Sequence, residues 1–363
     1  MKKYKYLIVG AGLTGALAAY TKYHNEGASC LVIEKKSHIG GFCYTKKEHG
    51  IDIHKYGAHI FRTNSKKIWE FVNSICDFIP FVNSPIANYN GELYNLPINM
   101  NTFYQLFGAT TPYDAHLAIE NDKEIPESGM CSNMEELILS QCGRKIYEKL
   151  IKEYSEKQWG RPCKELPIET MAHIPIRMTF DNNYYDVMYQ GIPDCGYTEF
   201  IERLLEYADL SLRTDFFEER KRFNELAEHI IYTGRIDEYF DYCFGELEYR
   251  SVRFEEKWIP DENNHQGVAV VNYTSSIPSF TRCIEHKHFL KSQSNIKGTV
   301  ISYEYPSSIS RECQPIYPVR DKKNLALYDK YKELASKEPN VTFVGQLADY
   351  MSYNMSHIIE KFI

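Results

Sequence analysis

Residues 6–20 read YLIVGAGLTGALAAY: strand-forming residues run into Gly10, Gly12 and Gly15, and an alanine-rich helical stretch follows. Absent side chains at that spacing, between a strand and a helix, let a pyrophosphate approach the helix N-terminal amides. The pattern predicts a strand over 4–9, a helix over 13–26 and a second strand over 29–34 (SCLVIE), a βαβ unit that opens a parallel sheet. Glu34 closes the second strand 19 residues after Gly15, where a carboxylate accepts hydrogen bonds from ribose hydroxyls. A second glycine turn, Gly40-Gly41 in EKKSHIGGFCYT, follows directly. An NAD domain does not require that turn, whereas two-dinucleotide FAD domains commonly carry one there, so the pattern favours FAD. Lys2, Lys3 and Lys5 ahead of the apolar run imitate a secretory leader ending at Ala18-Ala19, but cleavage there would discard the glycine motif.

The 363 residues suffice for two or three compact units, and 43% hydrophobic with 25% charged residues is an ordinary globular balance. The 29 Tyr against 3 Trp suit walls that stack on planar groups while hydrogen-bonding through their tips. A net charge of -7 without a basic block argues against nucleic-acid binding, so an anionic ligand needs a few placed cations. Ten cysteines without a CxxC pair or zinc-like spacing read as reduced thiols in a cytoplasmic protein. No run approaches the ~18 apolar residues of a membrane span, so membrane insertion is not expected.

Residues 65–165 read as mostly helical, through SKKIWEFVNSICDF, NMNTFYQLFG, NMEELILSQCG and KIYEKLIKEYSEKQW. Short β-rich runs follow between 170 and 305: HIPIRMTF, EHIIYTG, YRSVRFE, GVAVVNYT and TVISYEYP. VTFVGQL at 341–347 reads as a strand entering a final helix. The expected fold class is α/β: an FAD-binding, Rossmann-like parallel sheet with an inserted helical domain and an antiparallel β-sheet domain. The expected boundaries are 1–75 and 311–363 for the FAD domain, 76–165 for the helical insert and 166–310 for the sheet domain, with about 205–245 returning to the FAD domain.

HKYGAHIFRTN at 54–64 packs two histidines, a tyrosine and an arginine together. His54 and His59 stand five apart with no Cys or carboxylate cluster beside them, so no metal site is expected. Here the chain resembles the flavin-dependent UDP-galactopyranose mutases. The likeness runs from Leu7 to the C-terminus through the glycine motif, EKxxHIGG, HKYGAHIF, NSP (83–85), LPINMNTF (96–103), YSEKQWG (154–160), FDNNYY (180–185), YQGIP (189–193), IYTG (231–234), FDYCFGELEYRS (240–251) and TRCIEHKHF (281–289). The resemblance implies an isomerase whose reduced FAD, charged by NAD(P)H or another reductant, attacks the anomeric carbon of a UDP-sugar through N5 and expels UDP. A flavin-sugar iminium then permits ring opening and reclosure as a furanose. Dividing one isomerisation into covalent steps lowers each barrier, and placed cations stabilise the departing diphosphate.

The same resemblance assigns Tyr154 and Trp159 to the uridine as aromatic partners, Asn83 and Asn272 as polar contacts, and Tyr184, Arg250 and Tyr317 to the substrate. Arg282 matches an essential diphosphate arginine, and His59 matches a histidine beside the flavin ring, where imidazole can modulate N5 near neutral pH. Gly234 of IYTG joins Gly10, Gly12, Gly15, Glu34, Gly40 and Gly41 in the cofactor set. A homodimer is implied as well.

The departures from the family pattern cluster at the site. His173, in HIPIR, stands for a lid arginine and makes closure over the diphosphate weaker or pH-sensitive. Gln346 replaces an arginine, Ser352 a tyrosine and Asn354 an aspartate, all near flavin or diphosphate, and Arg62 replaces a histidine in a position to compensate. Uridine-side residues match while sugar- and phosphate-side residues differ, so a sugar other than plain galactose is expected: N-acetylgalactosamine, arabinopyranose or a 6-deoxysugar. Two other readings stay open, an FAD-dependent oxidase and a degenerate flavoprotein that binds nucleotide sugar without turnover. Net oxidation of product would mark the first, and UDP binding without furanose the second.

Overall fold

The computed structural model describes residues 3–171, 174–308 and 314–363, which form two compact units. The first comprises Met1–Phe81, Val187–Tyr249 and Pro315–Ile363, the second Val82–Asp186 and Arg250–Gln314.

The first unit is built on a five-stranded, all-parallel sheet in the spatial order Asp209–Leu212, Cys30–Glu34, Tyr4–Val9, Ala227–Tyr232, Val341–Phe343. Leu7 and Ile8 are adjacent, so their side chains leave opposite faces of the sheet, yet both are completely buried. Covering both faces is what a parallel sheet requires. One face packs under the helix Leu13–Glu26 through Ala16, Leu17 and Ala18; the other carries an aromatic core of Phe216, Phe223, Tyr232 and Tyr239. EHIIYTG, within the 205–245 stretch read as returning to the FAD domain, supplies the strand beside Tyr4–Val9. The helix Lys322–Ala335 was not anticipated.

Cys76, capping the helix Lys66–Ile75, and Cys195 are joined as a disulfide with Cα atoms 6.8 Å apart. This corrects the reading of every cysteine as a free thiol. The two are 119 residues apart and meet only because Phe78–Pro80 and Tyr189–Pro193 pair antiparallel, which no linear spacing reveals.

In the second unit, the strands Tyr249–Ile259, Thr299–Ser308, Arg282–Glu285, Val270–Tyr273, Ile86–Tyr89 and Glu92–Asn95 lie side by side in that order. Every pairing is antiparallel except Val270–Tyr273 with Ile86–Tyr89. The helices Met100–Phe107, Pro112–Asp122, Met134–Cys142 and Glu153–Trp159 belong to this same unit as the sheet, the last following a π-helical turn at Tyr147–Lys152. Two readings are corrected here. The hairpin 86–95 lies where helix was expected; Asn90 and Gly91 both adopt positive φ, the Asn-Gly turn that favours a two-residue hairpin. HIPIRMTF forms no strand over its described residues, only a bridge from Ile176 to Ile98; Pro175 has no amide to donate to a ladder.

Candidate active site

The candidate residues fall into two sets, one in each unit. In the first unit four glycine motifs converge on the start of the helix Leu13–Glu26. Gly12 is its N-cap, with no side-chain cap and no acidic residue in the first turn, so the leading amides have no capping side chain among the described residues. Gly40 donates its amide to the Ala11 carbonyl (2.8 Å), bringing the second turn against the first. A Cβ on Gly41 would lie 2.8 Å from the Gly12 Cα, and one on Gly15 would lie 1.9 Å from the Gly10 carbonyl oxygen. A Cβ on Gly10 would strike the Thr233 hydroxyl of IYTG, which donates to the Val9 carbonyl (2.7 Å). At Gly345, φ is +106° and an added Cβ would sit 2.9 Å from Thr14 Oγ1. Gly234 lies one residue beyond Thr233, with a Cβ position 2.5 Å from the Tyr232 hydroxyl. This is a bare backbone cradle ending in uncapped helix amides, and it fits the diphosphate of a dinucleotide.

Glu34 brackets the cradle: one carboxylate oxygen accepts from the Ala11 amide (3.0 Å) and the other from the Lys36 amide (2.9 Å). Lys36, which the sequence reading passed over, donates to the Tyr56 hydroxyl (3.0 Å) and lies 4.5 Å above that ring. Burial pushes its ammonium down to about 8. Its signal was a lysine two residues past the strand-ending carboxylate. His59 donates its backbone amide to His54 Nδ1 (3.2 Å), and His54 is buried beside Tyr197. Arg62 lies on the strand Phe61–Thr63 opposite Gln190.

Two of the departing residues in this unit have partners of their own. Gln346 donates its side-chain amide to the Ile316 carbonyl (2.9 Å), next to Tyr317. Asn354 caps the helix Met355–Glu360, its Oδ1 accepting from the His357 amide (2.9 Å) and the Ser356 hydroxyl (2.8 Å).

In the second unit Asn272, Arg282 and Glu304 stand in register across three adjacent strands. Arg282 Nε donates to Glu304 Oε2 (2.6 Å), and Glu304 is buried while the arginine is partly exposed. The other Glu304 oxygen and the Asn272 side-chain oxygen are buried acceptors without a hydrogen-bond donor among the described residues. Glu304 was missed because its meaning comes from cross-strand register, not from any local motif. Arg250 is buried; its Nε donates to the Gln158 carbonyl (3.0 Å) and Nη1 to the Ser308 hydroxyl (3.1 Å). Its guanidinium lies 3.1 Å from where a Gly160 Cβ would be, so the glycine of YSEKQWG makes room for it. Tyr154 and Trp159 are half-buried on the helix Glu153–Trp159. Tyr184 donates its amide to the carbonyl of buried Asn83 (2.7 Å). The FDNNYY loop is held by Asn99, whose amide donates to Asn182 Oδ1 (2.8 Å), and by Arg177, which donates to the Asn183 and Tyr184 carbonyls. His173 lies outside the described residues. Among the described residues, no three His, Cys, Asp or Glu side chains converge as a metal site, and no helix is long and apolar enough to cross a membrane.

Comparison with known proteins supports the same reading. The family described as UDP-galactopyranose mutase matches residues 149–352, and an NAD(P)-binding Rossmann-like domain matches residues 8–75. A probable UDP-galactopyranose mutase of Klebsiella pneumoniae is 34% identical over 98% of this chain and 92% of its own. A dTDP-fucopyranose mutase of Escherichia coli is also 34% identical, over 99% of this chain and 96% of its own. The crystal structure of a reduced UDP-galactopyranose mutase superposes with a TM-score of 0.73 at 13% identity, covering 100% of this chain and 93% of the other, a likeness of fold.

Proposed function

The chain belongs to the UDP-galactopyranose mutase family, and from that premise we propose that it is a flavin-dependent isomerase interconverting the pyranose and furanose forms of a nucleotide sugar. FAD is the proposed cofactor, its diphosphate on the cradle of Gly10, Gly12, Gly15, Gly40 and Gly41, its ribose near Glu34, and its ring side toward His59 and Gly234. When bound and reduced, by NAD(P)H or another reductant, flavin supplies a nucleophilic nitrogen for the anomeric carbon. The chain's own task is to hold the nucleotide diphosphate while the sugar leaves and returns.

The observation that carries the reading is the Asn272–Arg282–Glu304 row. The Glu304 carboxylate orients a partly exposed guanidinium, and the buried acceptor on Asn272 calls for a donor such as a uracil imide or a ribose hydroxyl. At about 4 Å and an effective dielectric of 20, one such cation supplies ~4 kcal/mol of attraction to a phosphate before desolvation. Tyr154, Trp159, Asn83 and Tyr184 complete the proposed nucleotide contacts, with Arg250, Arg62 and Tyr317 on the diphosphate and sugar side. His173 is proposed to replace the lid arginine.

For the sugar, the departures at Gln346, Ser352, Asn354 and Arg62 favour a residue other than plain galactose, and the two relatives at 34% identity carry different sugars and different nucleotides in their names. The test is incubation of dithionite-reduced protein with UDP-galactopyranose, UDP-N-acetylgalactosamine, UDP-arabinopyranose and dTDP-fucopyranose, resolving furanose products by chromatography. Turnover of UDP-galactopyranose alone refutes the altered-sugar reading. A second reading, binding without turnover, is favoured by the engagement of Gln346 with Ile316 and of Asn354 as a helix cap; UDP binding with no furanose from any sugar would establish it. A cytoplasmic homodimer is also proposed. Exposed Tyr104, Tyr113 and Leu117 on two neighbouring helices offer an apolar surface for a second copy, and light scattering on the purified protein tests it.

A further inference from the structure

The helix carrying Tyr154 and Trp159 meets the 274–281 loop at three points spaced four residues apart. That loop joins the strand holding Asn272 to the strand that begins at Arg282. The Lys149 carbonyl, in the π-helical turn, accepts from Thr274 Oγ1 (2.6 Å), and the Glu153 carboxylate accepts from the Ser276 amide. The Lys157 ammonium then donates to three backbone carbonyls: Tyr273 (2.8 Å), Pro278 (3.0 Å) and Phe280 (2.9 Å). An ammonium has three donors and no acceptor, and here each donor has its carbonyl. Residues 149, 153 and 157 lie one helical turn apart, so a single face of the helix grips the loop from end to end.

We infer that Lys157 is a positioning residue for the nucleotide: by clamping the 274–281 loop to this helix, it fixes the spacing between Tyr154 and Trp159 on the helix and Asn272 and Arg282 on the strands. The inference rests on the assignment of those four side chains to the nucleotide. Tyr273 directly follows Asn272, and Phe280 lies two residues before Arg282, so the carbonyls that Lys157 holds stand at the two strand ends that carry the contacts. The Phe280 ring packs on Tyr273 and Tyr303, each 4.6 Å away between centroids, so a shift of the loop moves the sheet side chains with it. A methionine at 157 fills the same space but leaves three carbonyls without their donor.

The experiment uses the flavin-loaded full chain and measures UDP affinity by calorimetry, together with steady-state kinetics, in K157M, K157Q and K157R. K157M is expected to weaken UDP binding by at least about tenfold and to raise KM far more than it lowers kcat, the signature of lost ground-state binding. Its flavin content is expected to match wild type, because the glycine cradle is in the other unit. K157R, which keeps the charge and several donors, is expected to stay within about threefold of wild type, and K157Q to fall between. Wild-type UDP affinity in K157M overturns the inference. If K157M does not fold, equal UDP affinity in K157Q and K157R overturns it. Failure of the wild-type chain to bind UDP sinks the functional reading itself, whereas wild-type binding with an unaffected K157M sinks only the role of Lys157.

Discussion

Gly12→Ala separates the fold from the cofactor. Gly12 has φ of -83°, which any residue adopts, and an added Cβ would meet only Gly41, at 3.5 Å from its Cα. Alanine is a poorer N-cap than glycine by about 1 kcal/mol, while its smaller unfolded-state entropy returns ~0.4–1 kcal/mol. The apoprotein should therefore melt within about 3 °C of wild type at the usual ~2–4 °C per kcal/mol for a large chain. The methyl group would project at the uncapped first turn, where a diphosphate must come within hydrogen-bonding distance of the amides. Losing two charge-assisted hydrogen bonds at ~1.5–3 kcal/mol each weakens FAD by roughly 10²- to 10⁴-fold. Gly41→Ala is the contrast: φ is +55° and the Cβ would lie 2.8 Å from the Gly12 Cα. It should cost the apoprotein ~2–5 kcal/mol from left-handed backbone strain and overpacking. The assay is titration of each apoprotein with FAD, followed by the flavin absorbance, beside thermal melting without cofactor. Wild-type FAD affinity in Gly12→Ala would show that the diphosphate does not lie on these amides, and a collapse of its melting temperature to that of Gly41→Ala would show that Gly12 serves the fold.

Acid stability should depend on Glu285. Burial alone would push its carboxyl up, but His288, the amides of His265 and Gln266 and the Thr299 hydroxyl together hold it down at about 2. The depressed value contributes stability that is complete above the ordinary carboxylate pKa of 4.5 and is lost as pH falls through about 2. At ~1.4 kcal/mol per pKa unit this is at most about 3 kcal/mol, so Glu285→Gln should lower the urea midpoint at pH 7 and flatten its decline below pH 4.5; equal acid limbs would contradict this. At the last helix, Asn354→Ala should cost about 1 kcal/mol through its lost cap, whereas Asn354→Asp should leave melting unchanged, because aspartate caps equally well. Equal melting of the alanine and aspartate variants would show that the cap contributes nothing.

The glycine turn was legible because its meaning is local: Gly10, Gly12 and Gly15 are fixed by the adjoining strand and helix, and Glu34 by the end of the next strand. EHIIYTG lies in the 205–245 stretch read as returning to the FAD domain; its own residues do not name its sheet, since a buried parallel strand carries no alternation. The hairpin at 86–95 was missed although Asn90-Gly91 announced it, because the helical stretches around it dominated the reading. Glu304, Lys157 and the Cys76–Cys195 bond were invisible for another reason: each acquires its partner from elements 22, 116 to 123 and 119 residues away. The motif residues of the candidate site were therefore readable one by one, while the groups that hold them in place came only with the fold. Asn354 and Gln346 show the converse, since their motif positions pointed to flavin and substrate while their side chains make contacts within the chain.

The proposed function requires both a reduced flavin and Arg282 for conversion of a nucleotide pyranose to its furanose form. The most direct measurement is furanose formation from a nucleotide pyranose by wild-type protein, oxidised and dithionite-reduced, beside reduced Arg282→Ala. Reduced wild-type protein should form the furanose, the oxidised protein none and the variant little. Equal product from the oxidised protein, or full activity without Arg282, would contradict the proposed function.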